Sequence, residues 1–256
     1  MRVLLIGCGR MGSAMARGWR GSEPVLVFDP MVDAVPEGTE RVETPGSVAG
    51  GAGLAVVLAV KPQVFGSLGE ALRPLAERGA LFVSIMAGIT LAGLGGALGG
   101  SGRIVRAMPN TPAAIGRGIT AAVAGTDVAD ADRAAVDRLL VPTGELVWID
   151  DESQIDAVTA VSGSGPAYFF RFAEALAAAG AAEGLPPALA MRLARATFTG
   201  AAALAEAEAA PLAELRRQVT SSGGTTAAGL AEMDAIDDLA RAVVAAAAAR
   251  SRALAG

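Results

Sequence analysis

Arg2-Val3-Leu4-Leu5-Ile6-Gly7-Cys8-Gly9-Arg10-Met11-Gly12 is the stretch that decides the fold. An unbroken apolar run ends on Gly7, and an Ala/Met-rich segment of helical composition, Gly12–Trp19, follows. Strand, glycine turn and helix in that order are the setting of a G-x-G-x-x-G dinucleotide fingerprint. In that reading Gly7 permits the tight turn, Gly9 admits the pyrophosphate against the backbone, and Gly12 lets helix and strand pack closely. The phosphates then meet the positive end of the helix and its free N–H groups. The chain holds 33 glycines, so the spacing alone is weak and its alternative is an ordinary βα turn. The flanking strand and helix carry the reading.

Outward from this unit, apolar runs recur at Val25–Asp29, Leu54–Val60, Leu81–Met86, Arg103–Ala107, Thr120–Ala124 and Glu145–Ile149, with a helix near Ala129–Leu140. Continuous apolar strands separated by helix-length connections predict an α/β, Rossmann-type parallel sheet covered on both faces. The crossover from Asp29 to Leu54 carries Pro30, Pro36, Gly38 and Pro45, so its helix is expected to be short or absent. After Asp150 the strand pattern stops. Glu152–Val161, Pro166–Ala182, Pro187–Glu208, Leu212–Val219, Ala227–Met233 and Ile236–Leu254 all read as helices. The expected division is a dinucleotide-binding domain over 1–150 and an all-helical domain over 151–256.

Composition narrows the class. Of the 256 residues 52% are hydrophobic and 18% charged, which marks a globular chain. A net charge of −5 without a basic cluster argues against a nucleic-acid surface. The single cysteine fits a reducing compartment, and no secretory pattern follows Met1-Arg2, so a cytoplasmic location is expected. The uncharged stretch Gly79–Gly102 is long enough to span a bilayer. Its glycines make a buried strand, a loop and a weak helix the better reading.

There is no histidine, one lysine (Lys61) and one tyrosine (Tyr168). Ketone reduction by hydride usually needs a general acid such as His, Lys or Tyr, and a metal site lacks its usual ligands. Lys61, in Ala59-Val60-Lys61-Pro62 after the third strand, either touches cofactor or is a solvated loop residue. Tyr168 reads first as a packing residue. Asp29 ends the second strand, where an acid accepts the adenosine ribose hydroxyls and disfavours a 2′-phosphate; it also suits a plain turn before Pro30. Arg10 is placed to meet a pyrophosphate, a 2′-phosphate, or solvent. A protonated cyclic imine would accept hydride without a strong acid and would need mainly carboxylate recognition by N–H groups and hydroxyls. Two loops offer these: Ser162-Gly163-Ser164-Gly165-Pro166 and Val219-Thr220-Ser221-Ser222-Gly223-Gly224-Thr225-Thr226. Each alone reads as a plain helix cap; together they favour an anion site.

Those loops, with Ile6–Gly12, Ala59-Val60-Lys61-Pro62-Gln63 and Arg106-Ala107-Met108-Pro109-Asn110-Thr111-Pro112-Ala113, resemble the pyrroline-5-carboxylate reductase family over nearly the whole chain. The resemblance implies a Rossmann domain followed by an all-helical C-terminal dimerisation domain, in homodimers or rings of dimers. It implies reduction of 1-pyrroline-5-carboxylate to L-proline, the last step of proline biosynthesis, by hydride from NADPH, the family's usual cofactor, while Asp29 leaves NADH open. Charge and composition together leave no nucleic acid or membrane partner expected. By the same resemblance Gly7, Cys8, Gly9, Arg10, Met11, Gly12, Asp29, Ala59, Val60, Lys61, Pro62, Met86, Ala87, Gly88 and Asn110 border the cofactor. Gly223, Gly224, Thr225, Thr226 and Ser164 hold the substrate, and Thr226, Ser221 or water manages the proton. Ser222 stands where the family usually has proline. The β-hydroxyacid dehydrogenases share the N-terminal signature, but this chain lacks their second-domain lysine. A catalytically silent dinucleotide sensor on the same fold predicts binding without turnover.

Overall fold

A computed structural model describes residues 1–254. The chain divides into two compact units, Met1–Ser164 with residues 246 onward, and Gly165–Ala245.

The first unit is built on one eight-stranded sheet: β1 (Arg2–Ile6), β2 (Val25–Phe28), β3 (Glu40–Arg41), β4 (Leu54–Leu58), β5 (Leu81–Ser84), β6 (Ile104–Met108), β7 (Gly118–Ala124) and β8 (Gly144–Trp148). Their order is β3-β2-β1-β4-β5-β6-β7-β8. The helices are α1 (Arg10–Gly18), α2 (Pro62–Glu77), α3 (Leu91–Ala97) and α4 (Asp130–Leu140). Alternation along the strands explains the layers. Val3, Leu5, Val25, Val27, Ala55 and Val57 pack with Met15 and Trp19 from the α1 segment and with Val136 and Leu139 of α4. Leu4, Ile6, Leu54, Val56 and Leu58 pack with Phe65, Leu72 and Leu75 of α2 and Leu94 of α3. Both faces are covered, so neither can be polar. Trp19 is wholly buried, and its indole N–H donates to the Leu139 carbonyl at 2.7 Å.

The crossover from β2 to β4 carries β3 and a 3₁₀ turn at Pro45–Ser47 in place of a helix, as its prolines predict. Two strands depart from the expected parallel arrangement: β7 runs antiparallel to β6, with Arg106 opposite Val123 and Met108 opposite Ala121, and β8 lies parallel to β7. The link 109–117 holds a 3₁₀ turn, Thr111–Ile115, and is too short for a parallel crossover. Beyond β8 the expected helix at Glu152–Val161 is replaced by a 3₁₀ turn (Glu152–Gln154), a short α5 (Ile155–Val158) and a π turn (Thr159–Gly163).

The second unit holds α6 (Gly165–Ala182), α7 (Pro187–Ala207), α8 (Leu212–Gln218), α9 (Thr225–Ala231) and the start of α10 (Ile236–Leu254). α6 and α7 pack on each other, with Phe198 stacked on Phe169 and edge-on to Phe170, both at 6.2 Å between ring centroids. Large apolar side chains here remain open, among them Phe169, Phe172 and Leu176. Among the described residues, no helix is long and apolar enough to cross a membrane.

Candidate active site

In the first unit the site grows from the point where the sheet changes direction, between β1 and β4, where α/β sheets bind ligands beyond their strand ends. The Gly7 N–H donates to the Phe28 carbonyl at 2.8 Å, and the Ala59 N–H to the Ile6 carbonyl at 2.8 Å. These bonds draw the ends of β2, β1 and β4 together. Gly7 has φ +93°, and a Cβ on it would meet the Ala59 carbonyl oxygen at 2.8 Å and the Val60 Cγ1 at 2.8 Å. A Cβ on Gly12 would overlap the Gly7 carbonyl oxygen. Gly9 differs: nothing lies within 4 Å of where its Cβ would be. Two glycines therefore serve the protein's own packing, and the third leaves an open cradle at the N-terminus of α1. Gly9 caps that helix without a side-chain bond, so the first-turn N–H groups of α1 remain for a ligand. The cradle fits a dinucleotide pyrophosphate.

The neighbouring candidates fall around this cradle in different ways. Cys8 is buried, its carbonyl accepts from the Ser13 hydroxyl at 2.7 Å, and its N–H donates to Asp29 Oδ2 at 2.6 Å. Asp29 Oδ1 accepts from the Met31 N–H at 2.8 Å. The carboxylate expected at the ribose is thus also a clamp on the glycine turn. Arg10 is exposed and Met11 half-buried. Lys61 is exposed at the N-cap of α2, where Pro62 starts the helix. The Ile85 N–H donates to the Leu58 carbonyl at 3.0 Å, so Met86, Ala87 and Gly88 leave the sheet beside Ala59 and Val60. The Met86 side chain is core rather than lining, Ala87 is exposed, and Gly88, at φ +75°, leaves no room for a Cβ against the Leu254 carbonyl.

Asn110, at the end of β6, is buried and satisfied internally. Its Nδ2 donates to the Ser162 carbonyl at 3.3 Å, and its Oδ1 accepts from the Ile119 N–H at 3.0 Å. It staples the β6–β7 link to the π turn that carries Ser162 and Gly163. Arg106, in the same motif, is buried and donates to Glu152 Oε1 at 2.7 Å; that oxygen also accepts from the Leu91 N–H at 2.8 Å. Ser13 and Glu152 are contributors that sequence reading did not find. Neither lies in a motif that marks it, and both act across the fold.

In the second unit the hydroxyl-rich loop forms the entry to α9. Gly223 has φ +68°, and the Gly224 N–H donates to the Ser221 carbonyl at 3.1 Å. A Cβ on Gly224 would collide with the Ser221 hydroxyl. Gly224 caps α9 without a side-chain bond, so the N–H groups of Thr225 and Thr226 open the helix as free donors. Ser221, Thr225 and Thr226 are exposed. Among the described residues no group of three or more His, Cys, Asp or Glu is placed to hold a metal ion.

Comparison with known proteins gives this geometry a family. A family model described as pyrroline-5-carboxylate reductase dimerisation matches residues 152–254, and one described as NADP oxidoreductase, coenzyme F420-dependent, matches residues 2–88. The pyrroline-5-carboxylate reductase of Pseudomonas aeruginosa is 40% identical over 243 residues, spanning 91% of this chain and 89% of that protein. The chain belongs to the pyrroline-5-carboxylate reductase family. The Aquifex aeolicus member of the family is 34% identical, covering 90% of this chain and 88% of its own. Among solved structures, the pyrroline-5-carboxylate reductase of Coxiella burnetii superposes with a TM-score of 0.92 at 31% identity, covering 100% of this chain and 98% of its own. The Plasmodium falciparum pyrroline carboxylate reductase with NADP bound gives 0.84 at 27%, again over 100% and 98%. As a pyrroline-5-carboxylate reductase the chain is an NAD(P)H-dependent oxidoreductase.

Proposed function

We propose that this chain reduces 1-pyrroline-5-carboxylate to L-proline, the last step of proline biosynthesis, with its two loops of glycine and hydroxyl residues dividing the labour. One observation carries the reading: membership of the reductase family spans both the dinucleotide turn and the hydroxyl loop, at 40% identity over 91% of the chain. When bound, the nicotinamide would supply hydride to C5 of the protonated imine. The C=N π pair then settles on nitrogen, and a neutral secondary amine results without a strong acid. This chemistry suits a chain with no histidine and one lysine.

The residues divide as follows. The first-turn N–H groups of α1 hold the pyrophosphate against Gly9, and Gly7, Gly12 and Ala59 fix the turn that presents them. Lys61, Pro62, Ala87 and Gly88 border the nicotinamide half, and Asn110 holds the β6–β7 link in shape beside it. The N–H groups of Gly224, Thr225 and Thr226, with the Thr226 hydroxyl, take the substrate carboxylate. Ser164 and Ser221 add hydroxyls, and Thr226, Ser221 or water handles the proton that the product amine later takes up. Rate enhancement then comes chiefly from holding the imine carbon in line for hydride.

The domain division we favour is 1–150 for dinucleotide and 151–256 for substrate and dimerisation. The open apolar groove on α6 and α7, of about 510 Å³ and walled by Phe169, Phe172 and Phe198, supports a homodimer, with rings of dimers as the larger form. We place the enzyme in the cytoplasm, in keeping with its single cysteine. The test is direct: purified full-length chain, 1-pyrroline-5-carboxylate and either reduced nucleotide, followed by loss of nicotinamide absorbance and appearance of proline. Oxidation of one nucleotide with matching proline is expected. Nucleotide binding without turnover on either would favour the silent-sensor reading and sink this one.

A further inference from the structure

We infer that this reductase selects NADH over NADPH and that Asp29 is the residue that discriminates. The inference rests on the NAD(P)H-dependent reading of the site and goes beyond it by fixing which dinucleotide is used. The carboxylate stands at the end of β2, directly beside the glycine turn, and its position is not free. Oδ2 accepts the Cys8 N–H at 2.6 Å and Oδ1 the Met31 N–H at 2.8 Å. Two backbone donors hold the group in place. Each carboxylate oxygen keeps lone pairs after one bond, so the pair of oxygens still offers acceptors to the two hydroxyls of an adenosine ribose. A 2′-phosphate in that position brings two more negative charges against a fixed one.

The segment that follows Asp29 supplies no compensation. From Asp29 to Glu40 the chain carries Asp29, Asp33, Glu37 and Glu40 and not one lysine or arginine. Two of the basic groups that border this segment are already engaged, and a third, Arg17, lines a pocket with Arg20 and residues 34–37 that does not include Asp29. Arg41 donates to Glu43 at 3.2 Å and to the Val32 carbonyl at 2.8 Å, and Arg20 pairs with Glu37 at 2.9 Å. Arg10 is exposed at the first turn of α1, the end that faces the pyrophosphate. A phosphate monoester is ordinarily met by an arginine fork or a lysine. Here it would meet a pinned carboxylate in an acidic segment.

The experiment is calorimetric titration of the full-length, nucleotide-free protein with NADH and NADPH, without imino acid, for the natural chain and for Asp29→Ser and Asp29→Asn. The natural chain is expected to bind NADH roughly tenfold or more tightly than NADPH, the scale of an unrelieved like-charge contact. Both variants are expected to bring the ratio of the two affinities to about one or to reverse it. Loss of the Cys8 clamp weakens both nucleotides alike and leaves the ratio readable; Asp29→Asn keeps an acceptor oxygen while removing the charge. Equal or tighter NADPH binding by the natural chain overturns the inference, as does a ratio that neither variant moves. Selective loss of NADPH in Arg10→Ala would assign the discrimination to Arg10 and overturn it as well. Failure to bind either nucleotide would overturn the cofactor assignment itself, a result distinct from the others.

Discussion

The Gly7–Gly12 turn and the Ser221–Thr226 loop are both glycine-rich helix entries with free N–H groups, and they are built in opposite ways. The first is shaped from a distance: Gly7 is confined by Ala59 and Val60, and Cys8 is clamped by Asp29. The second is shaped by its own neighbours, with Gly224 pressed on Ser221 and its hydroxyls exposed. A turn enforced by three strand ends is preformed, and costs its ligand little ordering. A loop held by local bonds opens at low free energy and gains definition from whatever it binds. The cofactor turn is therefore expected to be rigid before binding, and the substrate loop to be ordered by substrate.

The glycines of the first turn give the sharpest way to break that contrast. Gly12→Ala drives a methyl into the Gly7 carbonyl, and backbone cannot yield as a side-chain tip does. It is expected to cost about 2–3 kcal/mol of unfolding free energy, read by urea denaturation, and to abolish nucleotide binding. Gly9→Ala meets nothing within 4 Å, so stability should change by less than about 0.5 kcal/mol. Its methyl instead fills the pyrophosphate cradle, and nucleotide affinity should fall roughly thirtyfold, about 2 kcal/mol. A Gly9→Ala protein that binds nucleotide normally would show that the phosphates lie elsewhere.

The second loop is tested by Thr226→Ala. Removing one hydroxyl from an exposed helix entry should leave stability and nucleotide affinity unchanged while kcat/KM for the imino acid falls about tenfold, or about 1.4 kcal/mol. A loss of nucleotide affinity instead would mean the two regions are not separate in function.

How far each region was legible follows from the same contrast. Strand apolarity and the glycine turn in Arg2–Gly12 carried the sheet, because a doubly covered parallel strand writes its burial into consecutive residues. The proline-laden crossover also declared itself. The reversal of β7 did not: Gly118–Ala124 has the composition of any buried strand, and direction is set by the short link 109–117. The π turn at Thr159–Gly163 is invisible because its residues also suit an α-helix. In the site, glycine positions were readable since each backbone demand is local. The second role of Asp29 was not, because its partner Cys8 lies twenty-one positions earlier and no pattern links them.

The smallest effect is a control that bears on neither loop. Arg103 reaches Asp132 with two bonds, Nε to Oδ2 at 3.1 Å and Nη2 to Oδ1 at 2.5 Å, and Asp132 Oδ2 also accepts the Ala129 N–H at 3.1 Å, closing the first turn of α4. The Arg103 hydrogen bond holds the Asp132 carboxyl below its ordinary value; burial opposes this, and the Ala129 N–H and the arginine charge add to it. A carboxyl depressed in the folded state stabilises the fold at every pH above its unfolded value, about 3.9. That stabilisation fades as pH falls from there through the lower folded value. Asp132→Asn should therefore cost about 1 kcal/mol at neutral pH, and the gap between variant and natural chain should close as the solution is acidified below about pH 4. Denaturant titrations across that range read both quantities. Nucleotide affinity and kcat/KM should stay at natural values, since Asp132 touches neither turn. If binding also weakened, the loss seen in Gly9→Ala would no longer be attributable to the cradle, because a general softening of the first unit would produce it too.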